Sequence, residues 1–387
     1  MSWFSELMQS NENLVTGFFA GMIMMAFFHG VLLTSFFFFS DQLATRANKY
    51  LSLSIMGVCI ILAYEFIYWL EIENHIPDWI HFLPLYIRTT IPVGLYYYVI
   101  FLIQPNHQLS IGEKAGFYII GFEVLLDLIY IPVNLFVNSS EDILLIEYYI
   151  DTIGWFLGLS AASYFLPAAL KKVNSYQNSL FQNYSTTSDK SLGWLRNFLI
   201  ATFFVIVIGL ISFLQYVLGL WDASEFTFTL ITIGLMLLLF WIGYAIILKY
   251  NWFQIVPVPA DEHTGETENT KLSSKTDKYH QNLLTLMQEQ KLFEDAELTL
   301  DILAQHLEIS SGYLSQIINE KENKNFFEFI NTYRVEAVKE KLLNNQFQNY
   351  TIFGIAMECG FKSKSTFNSV FKKITGQTPS IFKKKAA

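Results

Sequence analysis

Cysteine is nearly absent: Cys59 and Cys359 are the only two in 387 residues. They lie far apart, which excludes a disulfide framework and the paired spacing of a zinc site. Charge is scarce as well, 15% of residues against 52% hydrophobic, and the 36 phenylalanines add to an apolar excess beyond that of soluble domains. No phosphate-cradling glycine loop, zinc-protease helix or nucleophile elbow occurs, so no catalytic residue, metal site or cofactor is expected. The last apolar run, residues 226 to 248, contains no lysine before Lys249. That excludes a retinal Schiff base. No basic segment precedes the first apolar run, which predicts a retained span and not a cleaved leader.

What is present is distributed unevenly. Seven apolar runs, near residues 14 to 40, 50 to 72, 83 to 103, 115 to 137, 147 to 170, 194 to 219 and 226 to 248, are each long enough to cross about 30 Å of hydrocarbon. Alternate loops carry Arg46, Lys49, Lys114, Lys171, Lys172, Lys190, Arg196 and Lys249. The loops between them carry acids, among them Glu6, Glu71, Asp78, Glu141 and Asp222, and no Lys or Arg. The positive-inside rule then places the amino terminus outside and Lys249 inside, with the carboxyl-terminal domain in the cytoplasm.

Ionisable groups within the spans are costly and normally face a partner, a cavity or a functional path. Glu65 and Arg88 fall at similar depth and could pair; Glu123 and Asp127 share a helix face; Asp151 is expected to open the fifth helix. Two readings stand: a polar pocket in the outer half for a small ligand, cationic given the acids, or for a proton; or bonding between helices with no ligand. Pro92-Val93-Gly94 resembles the interrupted helices of transporters. This keeps a transporter, or a receptor whose cytoplasmic domain binds a protein, as the alternative function.

After Tyr250 the composition changes. Residues 251 to 278 hold Pro257, Pro259 and many polar residues, which predicts a flexible linker reaching about 30 Å and signalling by proximity or pairing, hence a candidate homodimer. An amphipathic helix is expected over residues 279 to 293. Two helix-turn-helix patterns follow. In the first, Leu300, Leu303, Ala304 and Leu307 form one apolar face, and Ser310 is placed to cap a second helix that buries Leu314, Ile317 and Ile318. Ser311, Ser315, Gln316 and Asn319 then face outward. In the second, Ile355, Ala356, Gly360 and Phe361 precede Ser363 as cap and the buried stripe Phe367, Val370 and Phe371. Between them, residues 326 to 343 predict a helix about 27 Å long, comparable to a DNA turn of about 34 Å.

The run Ile355-Ala356-x-x-x-Gly360-Phe361-x-Ser363-x-Ser365-x-Phe367-x-x-x-Phe371-Lys372-Lys373, followed by Gly376-x-Thr378-Pro379, resembles the AraC/XylS regulators over about residues 280 to 385. The resemblance implies two helix-turn-helix units joined by a long helix and bound to double-stranded promoter DNA. It implies base contacts from Ser315 and Gln316, and from Lys364, Ser365, Thr366 and Ser369, with Asn368 beside them; Lys372 and Lys373 would hold phosphates. Glu308 stands where the family often has Gly, and Gly312 offers no side chain at a position the family often uses, so the first unit should read fewer bases. Beyond Glu358 there are seven lysines and no acid, which concentrates phosphate binding in the second unit. The expected molecule is therefore all-α: a seven-transmembrane-helix sensor over residues 1–250, a linker over 251–278, and an AraC-type double helix-turn-helix domain over 279–387. Its expected role is a membrane-embedded, signal-controlled transcriptional regulator.

Overall fold

The computed structural model describes residues 12–40, 43–69, 87–136, 140–185, 191–249, 273–347 and 349–386. The chain forms two compact units, one of Met1–Asn174 with Leu192–Pro257 and one of Ser175–Ser191 with Val258–Ala387.

The first unit is built from α1 (Glu12–Phe39), α2 (Arg46–Trp69), α3 (Thr90–Ile103), α4 (Ala115–Phe136), α5 (Ser140–Asn183, as far as Asn174), α6 (Gly193–Val217) and α7 (Trp221–Lys249). These are apolar on all sides, and they expose large hydrophobic side chains: Leu32 is 69% exposed, Phe39 78%, Phe156 65% and Leu237 64%. Water would penalise every one of them. Among the described residues five helices are long and apolar enough to cross a membrane, α1, α2, α5, α6 and α7, and α3 is a shorter apolar helix. The part of the expected third span before Ile87 lies outside the described residues, as does most of the linker.

Two expectations change here. Pro92 and Gly94 do not interrupt a helix: α3 begins at Thr90, so the proline sits in the first turn, where its missing N–H costs no helical bond. Gly94 instead lets α3 approach α2, because a Cβ there would lie 2.9 Å from the Tyr50 carbonyl oxygen. Asp151 does not open the fifth helix either, which starts at Ser140 and is 44 residues long.

The second unit contains the end of α5, then α8 (Ser273–Glu289), a 3-10 turn (Leu292–Glu294), α9 (Leu300–His306), α10 (Ser311–Glu322), α11 (Phe326–Leu343), α12 (Ile352–Glu358), α13 (Lys364–Thr375) and α14 (Pro379–Ala386). The amphipathic helix expected from residue 279 starts earlier, at Ser273, because Thr276 is buried against the Tyr313 hydroxyl at 3.0 Å and Asp277 pairs with Lys321 at 2.6 Å. Leu283 and Met287 of α8 join Leu303, Leu314, Phe326 and Ile330 in one core. Val335 and Val338 of α11 join Ile355, Phe361, Phe367 and Phe371 in another. Thus α11 supplies its first half to one helix-turn-helix unit and its second half to the other.

Candidate nucleic-acid interface

Each short helix of the second unit is started by a side chain that takes an otherwise orphaned backbone N–H. Thr299 accepts from Ile302 N at 3.2 Å, Ser310 from Tyr313 N at 3.3 Å, Thr351 from Gly354 N at 2.9 Å and Ser363 from Thr366 N at 3.1 Å. Asn325 and Glu328 form a reciprocal capping box at the start of α11. The two caps expected from sequence, Ser310 and Ser363, therefore hold α10 and α13.

The turn within each unit needs a left-handed residue. Gly360 takes this position in the second unit at φ +90°, and a Cβ there would lie 2.6 Å from the Phe293 carbonyl oxygen and 2.7 Å from Arg334 Nε. In the first unit Glu308 adopts φ +57° without the relief that glycine gives.

On α10, Gln316 and Asn319 are exposed, while Ser311 and Ser315 are half-buried. The Ser311 hydroxyl is hydrogen-bonded to Asp301, and Gln316 Nε2 donates to Glu320 Oε1 at 2.7 Å. Any base contact from these two must replace an internal bond. On α13, Lys364, Ser365, Asn368, Ser369 and Lys372 are exposed, and Thr366 is half-buried with its hydroxyl accepting from Ser363 Oγ at 2.8 Å. Lys373 Nζ lies 2.7 Å from Glu328 Oε1, and that hydrogen bond holds the carboxyl of Glu328 below its ordinary range. Lys362 is paired with Glu297. The second unit thus presents the more open basic surface.

One residue of this unit was not anticipated from sequence. Arg334 is fully buried and donates to the carbonyl oxygens of Phe293 at 2.7 Å, Asp295 at 2.8 Å and Ser185 at 3.1 Å. Burial lowers its guanidinium to about 10, still cationic at neutral pH. Its spacing was a signal: Ile330, Arg334 and Val338 fall four apart, which puts the arginine on the buried stripe of α11.

Within the first unit, the ionisable groups singled out from sequence gather around Arg88. Arg88 forms an ion pair with Asp151, and its backbone N–H donates to Glu123 Oε1 at 3.0 Å. Thr89 N donates to the other Glu123 oxygen, also at 3.0 Å, and Asp127 lies within electrostatic reach of Arg88, Glu123 and Asp151. Glu65 is buried and accepts from Thr232 Oγ1 at 3.4 Å. Gly158 makes room for Arg88, whose Cβ would be 2.9 Å from an added methyl. Beside Arg88 opens a cavity of about 100 Å³ lined by Trp155, Leu159, Thr202, Phe228, Thr232 and Leu235 among others.

The protein-family profile described as a helix-turn-helix domain matches residues 303–385. An HTH-type transcriptional regulator of Staphylococcus aureus (strain COL) is 33% identical over 87 residues, 22% of this chain and 11% of that one. The HTH-type transcriptional regulator YtdP of Bacillus subtilis (strain 168) is 30% identical over 89 residues, 23% and 11% of the two chains. The chain therefore spans about a tenth of the length of the curated relatives it matches. Among solved structures, the C-terminal domain of AraT, a response regulator from Geobacillus stearothermophilus, is 28% identical, covering 30% of this chain and 88% of that one with a TM-score of 0.25. The carboxyl-terminal part is an AraC-type helix-turn-helix domain, of the kind that binds DNA in transcriptional regulation.

Proposed function

We propose that the chain is a membrane-embedded, one-component transcriptional regulator. The seven helices α1 to α7 cross the bacterial inner membrane with the amino terminus outside, and the AraC-type domain binds promoter DNA beneath the inner surface. One observation carries this reading: capped recognition helices with exposed polar faces share a chain with helices whose large apolar side chains are exposed all round. Bonds between the basic segments support their lying on one side. Arg46 Nη1, at the start of α2, donates to the His107 carbonyl at 3.4 Å, and Lys172 of α5 pairs with Glu113 at 3.4 Å, so both meet the segment between α3 and α4 at one end of the first unit.

The candidate sensing site is the Arg88 cluster with its adjoining cavity, and Glu65, Glu123, Asp127 and Asp151 are the residues that would hold or couple the signal. The polar side chains at the cavity wall are already bonded: Arg88 to Asp151, Thr232 to Glu65 and to the Phe228 carbonyl, Thr202 to the Phe198 carbonyl. What remains for a ligand is apolar surface, which favours a molecule that partitions into the bilayer over the cation suggested by the acid count.

The reading is tested with the full chain in lipid nanodiscs and fragments of bacterial promoter DNA. Sequence-selective retention that weakens steeply with salt is the expected result. Failure to retain any fragment at low salt overturns it and favours a protein partner.

A further inference from the structure

Residues 175–191 fall in the chain between α5 and α6, yet they form one compact unit with residues 258–387. Tyr184 makes an antiparallel bridge to Thr299, the cap of the first helix-turn-helix unit, and the Phe181 ring meets Phe327 of α11 edge-on at 5.2 Å. Ser185 goes deepest, at 1% exposure. Its hydroxyl donates to the Leu298 carbonyl at 2.6 Å and accepts from Arg334 Nη2 at 3.0 Å. Its carbonyl accepts from Arg334 Nη1 and from Asn331 Nδ2, each at 3.1 Å.

From this geometry we infer that the Tyr184-Ser185 turn is a plug in the junction between the two helix-turn-helix units, and that its seating fixes how the two recognition helices face DNA. The position of Arg334 makes the argument. Its guanidinium ties the Phe293 and Asp295 carbonyls, ahead of the first unit, and also lies against Gly360 and 5.9 Å from the Phe361 ring, in the turn of the second. A buried cation needs acceptors in place, and Ser185 supplies two of them from outside both units. Withdrawal of the turn leaves Arg334 and Asn331 short of acceptors in a buried site. Water must then enter, and the junction that sets the units loosens.

The seated plug does not act by covering the DNA-binding surface. Gln316, Asn319, Lys364 and Ser365 are exposed while Ser185 is buried. The docked arrangement is therefore the binding-competent one, and release lowers affinity. Because the plug hangs between α5 and α6, a change in the helices that flank it acts on DNA binding without passing along the linker at residues 251–272.

This inference rests on the DNA-binding reading, and its test separates the two. In full-length protein in nanodiscs, spin labels on Gln316→Cys and Asn368→Cys report the distance between recognition helices without DNA; the native Cys59 and Cys359 are buried and stay unlabelled. The parent should give one narrow distance, broadened about twofold by Ser185→Ala and by Phe181→Ala. In unlabelled protein Ser185→Ala should weaken promoter binding about tenfold, the worth of one hydrogen bond to a charged group, and Phe181→Ala should weaken it in the same direction. An unchanged distance distribution in both variants overturns the plug. A parent that keeps the narrow, variant-sensitive distance yet binds no DNA sustains the plug and overturns the regulator.

Discussion

Gly360 and Glu308 occupy the same place in two versions of one motif, and the physical difference between them is a side chain at positive φ. A methyl at Gly360 meets the Phe293 carbonyl and Arg334 at once. Gly360→Ala should therefore destabilise the second unit by about 2 kcal/mol, read as faster hydrogen exchange at α12 and α13 amides. Glu308 carries the left-handed strain natively, so Glu308→Gly should slow exchange at α9 and α10, a gain of about 0.5 kcal/mol after the greater freedom of unfolded glycine is counted. Cys359 sits beside Gly360, and burial pushes its thiol up to about 11. Only the thiolate reacts, so alkylation should be slow at pH 8 and accelerate as pH rises toward that value. Rapid labelling at neutral pH would show that the turn opens.

The short helices of the DNA-binding unit depend on their ends more than on their length. An isolated helix as short as α12 or α13 is unstable in water, and each gains from its cap and from one buried stripe. Ser363→Ala should cost about 1 kcal/mol of local stability, visible as fraying at the start of α13 and as weaker binding to every DNA sequence. Lys364 and Lys372 stand exposed on α13. Replacing Lys372, a phosphate contact, by alanine should lower affinity with little change in sequence preference and reduce the salt slope by about 0.9. Replacing Gln316, Lys364 or Ser365, the candidates for base contacts, should alter preference itself. Lys373 should matter less than Lys372, because its bond to Glu328 must be given up before it reaches a phosphate.

For the molecule as a whole, topology and pH are the accessible tests. A reporter joined after Ala387 should be active only as a cytoplasmic fusion, and an external location would overturn the membrane orientation. Arg88→Ala and Asp127→Asn should alter signal-dependent transcription while insertion is retained; unchanged induction in both would reduce the membrane unit to an anchor. Glu113 links the segment between α3 and α4 to Lys172 of α5. Burial alone would raise its carboxyl, but hydrogen bonds from His107 and Ser110 bring it down to about 2. A carboxyl depressed in the fold stabilises above its unfolded value of 4.5 and loses that contribution as pH falls toward 2. Thermal unfolding should therefore show extra acid sensitivity in that window, absent from Glu113→Gln.

Apolar periodicity and capping residues are local properties, so the chain by itself determined the helical class, the apolar first half, both helix-turn-helix units and the caps Ser310 and Ser363. Helix limits were less legible. The expected linker already contains the start of α8, and the expected fifth span omits residues at both ends of α5, because polar residues can extend a helix once tertiary partners satisfy them. Tertiary structure alone decided the partners of buried charge. Arg334 takes two of its acceptors from Ser185, 149 residues upstream, and Arg88 takes Asp151, 63 residues downstream. A charge removed from water will accept whichever oxygens folding brings within about 3 Å, and no local pattern in the chain records which those are.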